Sequence, residues 1–130
     1  YGSGCAGTNG VVTLVPIETA LPVLGGTMQV DVTNLPLTAP ITFMAMGIGP
    51  PLDPGIDLGP LGAPSCALHV TPLAIDRVPA SAGAATWSLG IPMVSAMLGR
   101  SIYHQAITLD PGANALGVTS SIAGNARIGR

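Results

Sequence analysis

The stretch Gly25–Pro36, "GGTMQVDVTNLP", decides the fold. Within it Met28, Val30 and Val32 alternate with Thr27, Gln29, Asp31 and Thr33, the two-residue period of a strand with one buried and one wetted face. Asn34 and Pro36 then mark a turn. After the turn "APITFMAMGIG" (39–49) resumes as a second strand, so the two read as a hairpin or as strands facing across a sandwich.

On either side the same punctuation recurs. Eighteen glycines and thirteen prolines leave room for short strands and almost none for helices. "GVVTLVP" (10–16) is β-branched and apolar on both faces, as expected of a strand covered on both sides or one that pairs with a neighbour. "PPLDPGIDLGPLGAP" (50–64) reads as an irregular loop leading into a strand over "SCALHVTPLAI" (65–75). "GAATWSLGIP" (83–92) is a strand with Ala85, Trp87 and Leu89 on its core face. "MVSAMLG" (93–99) allows one helical turn closed by Gly99. In "RSIYHQAITLD" (100–110), Ile102, His104, Ala106 and Thr108 lie opposite Tyr103, Gln105, Ile107 and Leu109. After a turn at "DPGAN", the tail "GVTSSIAGNARIG" supplies the last one or two strands. The expected fold is all-β: one domain over residues 1–130, an antiparallel β-sandwich, Ig-like or jelly-roll-like, of about seven to eight short strands. A closed barrel is the second choice.

Composition narrows the partners. Charged residues make up 8% of the chain and hydrophobic ones 48%, against a usual charged share of about a quarter. Four arginines, no lysine and a net charge of −2 leave no basic footprint, and the only aromatics are Tyr1, Phe43, Trp87 and Tyr103, so nucleic acid is disfavoured. Pro, Gly and Thr break every apolar run well short of the roughly 18–20 residues of a membrane-spanning helix. The apolar excess therefore belongs in a core or against other protein surfaces.

Cys5 and Cys66 are the two cysteines, with no metal-ligand spacing beside them. In an oxidising compartment the simplest reading is one disulfide within the domain; two buried thiols, or a bond between subunits, are the alternatives. The chain starts on Tyr1 rather than Met, which reads as a processed, secreted product.

Four motifs resemble a small secreted bacterial β-sandwich domain of unassigned function: "YGSGC" at the start, "LGGTMQVDVTNLP", "LGAPSCALHV", and the closing "YHQAITLDPGANALGVTSSIAGNARIG". The resemblance implies secretion, a cysteine pair and a sandwich. It implies no catalytic residues.

No constellation for chemistry stands out. His69 and His104 are read as surface histidines on strands, and no spacing joins them into a metal site. No "GxSxG" elbow is present. Asp53 and Asp57 in "DPGID", and Asp110 and Asn114 in "DPGAN", supply too few oxygens per loop for calcium and read as turns. Neither metal nor cofactor is expected, nor is catalysis. The expected function is a structural subunit of an extracellular, cell-surface filament: a homopolymer joined by β-strand addition, with residues 1–20 as the donated segment and Val11, Val12, Thr13, Leu14 and Val15 as the strand. The alternative is a monomeric carbohydrate-binding or adhesion module with Asp53, Asp57 and Tyr103 facing a glycan.

Overall fold

The computed structural model describes residues 1–130 as eleven strands: β1 (Ala6–Gly7), β2 (Gly10–Val11), β3 (Thr13–Pro16), β4 (Thr27–Thr33), β5 (Ile41–Gly47), β6 (Ile56–Asp57), β7 (Ala67–Leu68), β8 (Ala74–Ser81), β9 (Ala84–Gly90), β10 (Ser101–Leu109) and β11 (Val118–Arg127). Seven of them form one antiparallel sheet in the order β11-β10-β5-β8-β9-β4-β3, and the pairs β1–β2 and β6–β7 are two-residue ladders outside it. The sheet folds over at the β8–β9 hairpin, where only Ala80–Ser81 and Ala84–Ala85 pair. The result is a sandwich, with β11, β10, β5 and β8 in one layer and β9, β4 and β3 in the other, the expected all-β antiparallel class.

Alternation accounts for the core. Met28, Val30 and Val32 of β4 point inward, as their spacing predicts, against Met44, Val78, Ala85, Trp87, Ile102 and Ala106. Each such aliphatic side chain taken out of water contributes about 1.5–3 kcal/mol. Trp87 is fully buried and donates its indole N–H to Asp76 Oδ2 at 2.8 Å. The one acidic side chain aimed at this core thus supplies the acceptor that a buried indole needs.

Two strand positions differ from the sequence reading. The segment 65–75 contributes β7 and only the first two residues of the long strand, which lies further on at Ala74–Ser81. Pro79 disguises it. Since Ala80 N–H bonds Pro40 C=O, alternation turns position 79 away from β5 towards a stretch where β8 has no ladder with β9, so the missing N–H of Pro79 breaks nothing. "MVSAMLG" holds a single 3₁₀ turn, Ser95–Met97.

The loop between β5 and β8 lies over the outer face of β10 as a third layer. Gln105, with no exposed surface, fixes it there. Its Oε1 accepts from His69 N–H at 2.8 Å, and its Nε2 donates to Ala67 C=O at 2.8 Å and Ser121 C=O at 2.9 Å. The Cys5–Cys66 disulfide, within the chain and spanning 61 positions, fastens the same loop to the N-terminal segment.

Candidate functional site

Residues 1–5 are an ordered strap. Tyr1 ammonium donates to Ala123 C=O at 2.7 Å, Ala123 N–H donates back to Tyr1 C=O, and Cys5 N–H donates to Ser120 C=O at 3.0 Å. The strap therefore runs antiparallel to β11 along its free edge. Tyr1 hydroxyl donates to His69 C=O, and Ser3 N–H donates to His69 Nε2. The other ring nitrogen lies 3.2 Å from Leu52 C=O, so the tautomer protonated on Nδ1 satisfies both ends of the ring.

The proposed donor strand is divided. Val11 belongs to β2 and pairs with Ala6, and Thr13–Pro16 pairs with Val30–Thr33 of β4. Val12 is buried in the core and Leu14 half-buried, while Thr13 is exposed and Val11 and Val15 are 42% and 50% exposed. β3 is an edge strand with one ladder of four pairs, and no ladder joins it to β11 across the seam. Counting alternate directions along the seven-stranded sheet, β3 and β11 run the same way. The seam closes only at its ends, by the strap on Ala123 and by a bridge between Val23 and Gly129.

Between those closures the seam holds a cavity of about 250 Å³. Leu14, Pro16, Met28, Val30, Ile122 and Ala126 form its apolar walls and His104 part of its floor. His104 is not a surface histidine: it is 5% exposed, its ring centre lies 5.3 Å from that of Trp87, and its Nδ1 has no hydrogen-bond partner. Burial holds its pKa below the usual value; the Ile102 backbone opposes this and the Tyr1 ammonium adds to it. A Cβ at position 124 would collide with the imidazole, which is why β11 carries glycine there. His69 is buried too, 4% exposed beneath the strap.

The loop residues assigned to a ligand do converge in part. Asp53 and Asp57 line one polar hollow with Ser3, Ser65 and His69. Tyr103 does not line it but meets Tyr1 edge-on at 6.0 Å. The Tyr1 phenol is raised above its ordinary pKa by burial first, then by Tyr103 and the nearby Asp53 charge. Asp57 also accepts from Gly59 N–H at 2.8 Å, a turn role. Asp110 is buried and takes Thr8 N–H and hydroxyl, and Asn114 bridges Gly117 and Val118. No three His, Cys, Asp or Glu side chains converge as a metal site, and no helix is long and apolar enough to cross a membrane.

The seam was not read from the sequence, because it arises from two strands more than a hundred positions apart. The burial of His104 had a signal: it shares a strand face with Ile102 and Ala106. Compared with protein-family models, curated proteins and solved structures, the chain finds no match in any of the three.

Proposed function

We propose that this chain is a structural subunit of an extracellular homopolymer, joined by exchange of the Val11–Val15 segment between neighbouring copies. The observation that carries the reading is the weak hold on β3. It is the one short strand of the large sheet, paired on a single side, with an apolar cavity instead of a partner on the other. Strands held by one ladder are the cheapest to release, and the vacated strip beside β4 accepts an identical strand from the next copy. Val11, Val15, Leu21 and Ile122, all exposed, flank the seam and supply apolar surface to an arriving chain. Cys5, bonded within its own subunit, limits the donor's reach: the residues from Cys5 to Gly10 span at most about 17 Å.

Thr13 and Thr33 face each other across the β3–β4 ladder, with their hydroxyls in contact. Cysteines at both positions report whose strand occupies the place. Exchange predicts long fibres by electron microscopy and, for oxidised Thr13→Cys/Thr33→Cys, a covalent ladder on a non-reducing gel. A double variant that assembles yet runs only as a 12.9 kDa chain would refute exchange. A clean monomer by light scattering at high concentration would remove the subunit reading altogether.

A second reading, a monomeric carbohydrate-binding or adhesion module, draws on one observation, the joint placement of Asp53 and Asp57 in a hollow beside Tyr1. It predicts saturable glycan binding that Asp53→Ala abolishes without unfolding.

A further inference from the structure

We infer that Asn9–Gly10, in the turn between β1 and β2, is a self-modification site: the Asn9 amide is lost without an enzyme, leaving aspartate or isoaspartate, and the loss unfastens the turn that leads into β3. The chemistry needs only water. The Gly10 main-chain nitrogen, giving up its proton to base, attacks Asn9 Cγ; a new C–N bond closes a succinimide ring, and the bond to the amide nitrogen breaks, releasing ammonia. Water then opens the ring at either carbonyl, giving aspartate from one side and isoaspartate from the other.

Sequence and fold together select this asparagine. It is the only one followed by glycine; Asn34, Asn114 and Asn125 precede Leu, Ala and Ala, whose side chains hinder the attack. The glycine is fixed by the fold, since Gly10 has φ 90°, a left-handed conformation that a side chain would strain. The turn therefore demands the residue that makes its asparagine labile. The site is also lightly held: Gly10 is exposed, no atom lies within 4 Å of the place a Cβ would take, and the β1–β2 ladder consists of Ala6–Val11 and Gly7–Gly10 alone. Asn114, by contrast, is engaged at both ends of its amide by Gly117 and Val118.

What the modification undoes is equally local. Asn9 Nδ2 donates to Leu35 C=O at 2.8 Å and is the one donor to that carbonyl, in a residue with no exposed surface. The product carries a carboxylate in its place, which cannot donate and sets oxygen against oxygen. It also adds a second carboxylate to the hollow that Thr8, Asn9 and Asp110 line together. Isoaspartate goes further, because it lengthens the main chain by a carbon inside the short ladder. Val11, whose C=O accepts from the Asn34 side chain, is the next group to loosen. A role as a one-way timer that frees β3 in aged copies rests on the homopolymer reading; the modification itself does not.

The test follows the whole folded protein at mildly alkaline pH by peptide mass mapping, in ordinary water and in heavy-oxygen water. Expected is conversion of Asn9 ahead of every other asparagine, with the mass gain of an amide becoming an acid, labelled oxygen taken from the solvent, and isoaspartate reported by isoaspartyl methyltransferase. The aged protein should melt about 5 °C lower, the effect of a buried carbonyl left without its donor, with faster hydrogen exchange at Val11 and Val12. Asn9→Gln, which keeps an amide but closes a ring far more slowly, should stay at its starting mass. If the folded protein keeps Asn9 intact while the same chain in denaturant converts it, or if another asparagine reacts first, the assignment of the site is wrong. Conversion with an unchanged Tm would refute the unfastening. Converted protein that forms fibres no faster than fresh protein would remove the timer, whereas absence of fibres from both would count against the homopolymer reading and leave the mass result to decide the site.

Discussion

Replacing Gln105 by methionine, of similar length and no hydrogen-bonding capacity, should detach the third layer from the sheet. The substitution strands three buried main-chain groups: His69 N–H, Ala67 C=O and Ser121 C=O. At the low end of the cost of an unsatisfied buried group, roughly 1 kcal/mol each, the loss is about 3 kcal/mol. For a chain of this length that corresponds to a fall of about 10 °C in Tm. Urea unfolding followed through Trp87, the single tryptophan, measures the loss. Hydrogen exchange at the His69 amide shows whether the opening is local. Gln105→Glu separates the two ends of the side chain, since it keeps an acceptor for His69 N–H but faces two carbonyls with a carboxylate, and should be destabilised more at neutral than at acid pH. A loss below about 1 kcal/mol for Gln105→Met would show that water or relaxation replaces all three bonds, and the account of how the loop is held would fail.

Removing the disulfide as Cys5→Ser/Cys66→Ser should lower stability by about 4 kcal/mol, the chain-entropy value for a loop of 61 positions; an unchanged urea midpoint would contradict it. His104 binds its proton less readily folded than unfolded, so the stability it gives is complete above its ordinary pKa of 6.5 and is lost as pH falls through the lowered folded value. His104→Phe should flatten the decline in Tm below pH 6.5, and an unaltered slope would locate the titration elsewhere. Asp76→Ala leaves the Trp87 N–H buried without its acceptor and should cost about 1–3 kcal/mol, visible as a lower urea midpoint and a changed near-ultraviolet dichroism; Asp76→Asn, which keeps an oxygen, should cost less.

The two-residue period of β4, β9 and β10 made the layer class and the burial of Trp87 legible, because alternation is a local property set by one face of the pleat. β8 was hidden, since a proline usually argues against a strand interior and only the tertiary arrangement shows that position 79 looks onto an unladdered edge. Gln105 was equally opaque. Its face of β10 is wetted by rule and becomes buried only when residues 65–71 fold over it, a long-range event without a sequence period. Asp53 and Asp57 were legible as turn residues, but the hollow they share with Ser3 and His69 comes only from the fold. The seam was not, because it depends on the order of strands rather than on any one of them.

The Cys5–Cys66 link also fixes how the molecule responds to tension. Force applied ahead of Cys5 passes through the sulfur–sulfur bond to Cys66, so the 61 positions between them are shielded from that pull. That locks away about 200 Å of contour, leaving roughly half the chain free to extend. Val11–Val15 lies inside that loop, so a neighbour drawing on it would pull directly against the short arm from Cys5 to Gly10, a hard limit of stretch while the bond is oxidised and a soft one once it is reduced.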